Sequence, residues 1–116
     1  MRQVVARSVG PEKPLTEPVL LILLSLASGP RHGYALMKDI EELSESRVRL
    51  STGTLYGALR RLLDDAWIAR FEQEDSSREK QAYRLTPTGR KHLRLELDRM
   101  KSLTRAAAAR LRTTEA

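Results

Sequence analysis

From Pro87 to Arg112 nothing in the sequence breaks a helix except the early Gly89. Thr86 is a cap, and Pro87 takes the first helical position, where its missing N–H costs nothing. Those 26 residues reach about 39 Å if fully helical, which overreaches any domain the rest of so short a chain can build. Leu93, Leu97, Met100, Thr104, Ala107 and Leu111 recur along it at spacings of four, three, four, three and four, a heptad seam. A lone helix can lay such a stripe on its own domain. A helix that overreaches its domain leaves part of the stripe wet unless a partner covers it, so a homodimer through these residues is expected. Thr104 and Ala107 weaken the distal half. Arg94, Arg99, Lys101, Arg105, Arg110 and Arg112 occupy the other faces and must stay solvated to tolerate one another.

The preceding chain reads as three helices and a hairpin. Residues 1–14 lack apolar periodicity and read as a flexible arm. Thr16 caps a helix whose Val19–Ala27 run is apolar nearly all round, as suits an element inside a small domain. Ser28-Gly29-Pro30 ends it. A second helix runs from about His32 to Leu43, with Gly33, Leu36, Met37, Ile40 and Leu43 as its buried stripe. Ser51 caps a third, closed by Asp64-Asp65-Ala66. Trp67–Glu72 and Gln81–Thr86 read as two strands joined by a polar turn, with Tyr83 and Leu85 on one face and Ala82 and Arg84 on the other. Trp67 anchors the hairpin. This order predicts a mainly α (α+β) fold: a winged helix-turn-helix domain at 15–86 with a two-stranded wing, the dimerisation helix at 87–112 and a tail at 113–116.

The third helix is the candidate site. Ala58, Leu59 and Leu62 fall within about 60° of Leu55 on a helical wheel. The outer face carries Gly53, Thr54, Gly57, Arg60 and Arg61, with Tyr56 at its edge and no acid before Asp64. Each glycine costs up to roughly 1 kcal/mol against alanine inside an exposed helix. A bare face flanked by arginines fits close approach to another surface, and a DNA major groove admits such a helix. The free amides after Ser51 and Thr52 suit a phosphate. An ordinary solvated amphipathic helix is the competing reading. Tyr34 and Tyr56 present hydroxyls either to phosphate or to the domain edge. Arg78 and Lys80 at the wing tip fit phosphate contacts.

Composition narrows the rest. Net charge is +6, but residues 87–116 hold eight basic and three acidic groups while residues 51–86 hold six of each. Bulk charge is thus weak support for a nucleic-acid partner. There is no cysteine, so no disulfide or thiolate metal site, in keeping with a reducing cytoplasm. The start lacks an apolar secretory run, so a cytoplasmic location is expected. The longest apolar run, Val19–Leu24, is far short of the about 20 residues of a membrane span. His32 and His92 are too few and too far apart for metal chemistry. No nucleophile–base pair or phosphate-binding glycine loop is present. No enzyme, cofactor or metal is expected. A winged-helix adaptor that binds protein is the alternative, but it has no need of Gly53, Gly57, Arg60 and Arg61 on one face.

Several stretches, in order, resemble the PadR-like transcriptional regulators, in the branch with a single C-terminal helix. They are Leu21 to Ala27 with Gly29-Pro30, His32-Gly33-Tyr34-Ala35, Gly53-Thr54-Leu55-Tyr56 with Leu59 and Leu62, and Tyr83 to Pro87 with Gly89-Arg90. The resemblance implies a dimeric regulator of operator DNA, usually a repressor. It places the third helix in the major groove and the wing on the backbone or minor groove, and it pairs the last helix across the dimer. It also implies release by a small hydrophobic effector near the dimer interface in some members. Departures are Thr52 where proline is frequent, the bare Gly57, Glu79 in a basic wing tip, and a last helix without tryptophan.

Overall fold

Thr16 begins the first helix: its hydroxyl accepts a hydrogen bond from the Val19 N–H at 3.4 Å, with Glu17 and Pro18 in the first turn. The computed structural model describes residues 14–71 and 81–115. In chain order these form α1 (Glu17–Ala27), β1 (Arg31–His32), α2 (Gly33–Leu43), α3 (Thr52–Asp64), β2 (Ile68–Phe71), β3 (Ala82–Leu85) and α4 (Pro87–Glu115). Ile22, Leu23 and Leu26 of α1 are at most 1% exposed. They join Leu36, Ile40, Leu55, Leu59 and Ile68 in one core. Full burial stabilises each such aliphatic side chain by roughly 1.5–3 kcal/mol.

The sheet has three strands in the order β1-β3-β2, all antiparallel. The sequence predicted the β2–β3 hairpin but not β1. Two residues carry no periodicity; β1 exists only because Arg31 and His32 lie opposite Tyr83 and Ala82. Gly29, at φ +151°, turns the chain into it, in a region that L side chains rarely adopt. With β3 central, both Ala82 and Tyr83 are buried, at 2% and 4% exposure. The predicted alternation therefore holds for Leu85 and Arg84 but not for Ala82.

A polar cluster fixes α1, β1 and α2 together. The Ser25 hydroxyl donates to Asp39 at 2.6 Å. Arg31 donates through Nε to the Ser25 carbonyl at 2.9 Å, and its Nη2 lies 3.6 Å from Asp39. Ser25, 1% exposed, is thus satisfied inside the core, which a buried hydroxyl requires.

The root of α4 is seated on the domain with little freedom. Thr86 accepts from the Gly89 N–H at 3.0 Å, while its own N–H donates to the Trp67 carbonyl at 3.0 Å. Gly89 is demanded by this contact: a Cβ there would overlap the Trp67 carbonyl oxygen and press on Leu85. His92 stacks on Trp67 with centroids 4.2 Å apart and planes 14° from parallel. Burial, then the neighbouring Lys91, hold the His92 imidazole below its ordinary pKa, against a smaller opposing pull from Asp65. One turn on, Glu96 is 2% exposed and accepts from Arg99 at 3.1 and 2.6 Å. That bond, followed by the arginine's charge and a Leu15 backbone contact, holds the carboxyl below the usual range although burial pushes it up.

Beyond this root the helix leaves the domain. Leu93 is 5% exposed and belongs to the core, but every residue from 97 to 113 is exposed. The radius of gyration is 16.8 Å, against about 13 Å for a compact chain of this length. The helix ends at Glu115, three residues past the Arg112 expected from sequence.

Candidate nucleic-acid interface

The turn between α2 and α3 is built from side-chain caps. The Ser44 hydroxyl accepts from the Val48 N–H at 3.0 Å, and Glu45 and Ser46 take left-handed φ values of 53° and 68°. Ser51 then caps α3, accepting from the Thr54 N–H at 3.1 Å and bonding the Thr54 hydroxyl at 3.0 Å. An Arg49–Glu41 pair at 2.9 Å crosses the turn, but Arg49 is 71% exposed, and so open an ion pair adds little.

The α3 wheel resolves as its periodicity predicts. Leu55, Ala58, Leu59 and Leu62 are buried. Ser51, Thr52, Gly53, Thr54, Tyr56, Gly57, Arg60 and Arg61 are all exposed. A Cβ added at Gly53 or Gly57 would have no neighbour within 4 Å. The fold therefore has no packing need for either glycine. Alanine at Gly57 is expected to raise stability by roughly 0.5–1 kcal/mol, read as a higher denaturant midpoint. It is expected at the same time to weaken whatever approaches this face. Stability and binding that both rise would show that nothing comes close there.

Tyr56 packs against the domain, one of the two readings open from sequence, on a partner that its spacing did not reveal. Its ring folds back over the start of α2, so close that a Cβ on Gly33 would overlap the hydroxyl. Gly33 is buried and lets the two helices of the turn meet at this point. The residue stays 39% exposed, so the ring braces α3 while part of it faces out. Beneath it, burial and then the nearby Tyr56 raise the Tyr83 phenol above its ordinary pKa, opposed by Arg70. Tyr34 lies apart on α2, 70% exposed, with the Lys38 ammonium 5.8 Å from its ring centroid. Arg70 is tied to Gln81 at 3.0 Å across the base of the wing. Arg78 and Lys80 lie outside the described residues.

A concavity lies between α1 and α4. It encloses about 490 Å³ and is lined by Leu24, Ala27, Leu93, Leu97, Met100 and Thr104, with Arg90, Arg94, Asp98 and Lys101 at its polar edge. Four of the six predicted seam residues thus line one cleft. Leu97, Met100 and Leu111 are 39%, 38% and 57% exposed. Leu103, 56% exposed, widens the apolar strip and was missed because it falls outside the heptad spacing. Among the described residues no cluster of His, Asp or Glu could hold a metal ion, and no helix is long and apolar enough to cross a membrane.

Three helices around one core, a capped turn before an exposed helix, and a hairpin with a third short strand define a winged helix-turn-helix protein with a protruding C-terminal helix. A family model described as the transcriptional regulator PadR-like family matches residues 22–95, and this chain belongs to that family, one of transcriptional regulators rather than enzymes. It is 40% identical over 85 residues to an uncharacterized 37.1 kDa protein in transposon TN4556 of Streptomyces fradiae, a match covering 73% of this chain and 23% of that protein. The chain therefore spans less than a quarter of that relative. Its fold is similar to a PadR family transcription regulator from Clostridium difficile (TM-score 0.68, 24% identity, 83% of this chain and 99% of the other). It is also similar to Bacillus subtilis PadR in complex with operator DNA (TM-score 0.62, 24% identity, 73% and 48%). A transcriptional regulator from Clostridium thermocellum gives a TM-score of 0.66 at 24% identity over 78% and 89%. At these identities the structural likeness establishes the fold.

Proposed function

We propose that this chain is a cytoplasmic, homodimeric repressor that binds a near-palindromic double-stranded DNA operator through α3. The observation that carries this reading is the outer face of α3: two glycines that no contact among the described residues requires, flanked by Arg60, Arg61 and Thr54 and opened by the Ser51 cap. A helix so bared and charged meets the geometric need of a major groove. Arg60 and Arg61 read base edges, the amides at Thr52 and Gly53 hold phosphate, and Tyr34, Arg78 and Lys80 supply backbone contacts. The dimer forms through α4, whose exposed apolar strip needs a partner. The relative crystallised with operator DNA supports the same ligand class. The cleft between α1 and α4 falls within the about 300–1,000 Å³ range of small-molecule pockets and supports release by a small hydrophobic effector.

The test is a mobility-shift titration on the DNA immediately upstream of the chain's own gene. Arg60→Ala is expected to cost about 1–3 kcal/mol and to relax preference at one base position. If Arg60→Ala and Arg61→Ala together leave affinity unchanged in a folded dimer, α3 is not the reading element.

A further inference from the structure

The excess positive charge of the chain lies on α4, away from α3. Lys91, Arg94, Lys101, Arg105 and Arg112 are all exposed, and no ion pair engages any of them among the described residues. At about 100° per residue they fall within an arc of about 80°. Asp98 is the single acid in that arc. From Lys91 to Arg112 the row extends about 32 Å. Its centre is rotated by about 120° from the centre of the apolar seam. Arg94 and Lys101 border the cleft between α1 and α4, so the row begins where the apolar strip ends. A helix that needed these residues only for solubility would gain from acids interspersed among them, since like charges three and four apart destabilise it. Here Asp98 alone is interspersed, and Lys91–Arg94 and Lys101–Arg105 stand as like-charged pairs three and four apart.

We propose that this row is a second DNA-contacting surface, which binds phosphates without regard to sequence and acts independently of the α3 face. A linear row of unpaired cations about 32 Å long matches a duplex, which presents one negative charge per about 1.7 Å of axis. An acidic protein segment would also be attracted, but it has no comparable regular charge over that length. The α4 pairing proposed above enters only in placing the partner helix on the seam and leaving the row outside. The phosphates belong either to DNA flanking the bound operator or to a separate duplex held alongside.

The test uses the full chain and a random-sequence duplex of 30 base pairs, followed by fluorescence anisotropy between 50 and 200 mM salt. The variant carries Lys91→Gln, Arg94→Gln, Lys101→Gln and Arg105→Gln, substitutions that keep helix propensity; circular dichroism checks that α4 survives. Its affinity for the random duplex is expected to fall at least tenfold at the lower salt. The log–log salt slope is expected to become shallower by about 0.9 for each phosphate that is no longer neutralised. The same slope change is expected on top of Arg60→Ala and Arg61→Ala, because distant sites add; the α3 reading can therefore fail while the row stands, or the reverse. Asp98→Asn is expected to tighten random-duplex binding more than Glu42→Gln, which makes the same charge change on α2. Capture of a second labelled duplex by protein on bead-bound DNA assigns the phosphates to a separate duplex; loss of affinity without such capture assigns them to flanking DNA. An unchanged slope in the folded quadruple variant overturns the proposal. So does a row that binds polyglutamate while the duplex slope stays fixed, which would assign it to an acidic protein.

Discussion

Replacing Leu97 and Met100 by aspartate is expected to convert the protein to a monomer that keeps its winged-helix fold and loses specific DNA binding. Both residues are more than a third exposed in the single chain, so the monomer does not need them for its own core. They open the apolar strip that continues beyond the domain, where the residues from 97 to 113 are exposed. Two carboxylates from each copy would be brought against their mates across the seam, with Arg90, Arg94 and Lys101 only at its polar edge, and desolvating them costs far more than leaving an apolar pair unmade. The loss of specific binding follows from symmetry. A dimer sets two recognition helices about 34–36 Å apart, one DNA turn, and a monomer retains only one half-site. Light scattering reads the mass and a mobility shift reads the binding. A dimer that persists after both changes would refute the seam and move the interface to α1 or to the chain before it.

Gly89→Ala is expected to destabilise the whole domain by about 2–3 kcal/mol, the upper range of overpacking penalties. In a helix, alanine is ordinarily the better residue, so propensity alone predicts the opposite sign. The added methyl would meet the Trp67 carbonyl oxygen and the Leu85 side chain, and neither can yield easily. The Trp67 carbonyl already receives the Thr86 N–H, and Leu85 is a core residue paired with Ile68 across the sheet. The expected readout is a lower urea midpoint with an unchanged slope, accompanied by a weakened Trp67–His92 stack seen in tryptophan fluorescence. A midpoint that rises would show that α4 is less tightly seated than its caps imply. Gly57→Ala, also within a helix, is expected to have the opposite sign, because nothing lies where its methyl would go.

The contrast between these two glycines marks where sequence reasoning stops. Both are single-letter breaks in helical periodicity and look alike in the chain. One faces open space; the other faces the carbonyl of Trp67, which lies just before β2 and 22 positions earlier in the chain. Tyr56 and Gly33 make the same point, since a contact across more than 20 positions leaves no trace in local spacing. The Ser25–Asp39–Arg31 cluster was equally invisible: Asp39 reads as one more acid on the polar face of α2 until α1 and β1 bring it a hydroxyl and a guanidinium.

Most features with a period or a local cap were legible in the chain alone. The apolar run of α1, the stripe of α3, the stripe of α2 as far as Ile40, the Thr16, Ser51 and Thr86 caps and the unbroken reach of α4 follow from side chains within a few positions of one another, so they are written in the order of residues; Leu43, expected in the α2 stripe, is instead 48% exposed, because the helix ends there beyond the edge of the core. The exposed face of α3 is legible for the same reason, being the complement of a buried stripe. Which half of the α4 stripe belongs to the domain and which is left open was settled by packing, because the boundary falls where α1 and the sheet end: Leu93 and Glu96 are covered by them and Leu97 is not. Packing also made a strand of Arg31 and His32, since two residues become one only when a third element supplies the hydrogen bonds they lack on their own.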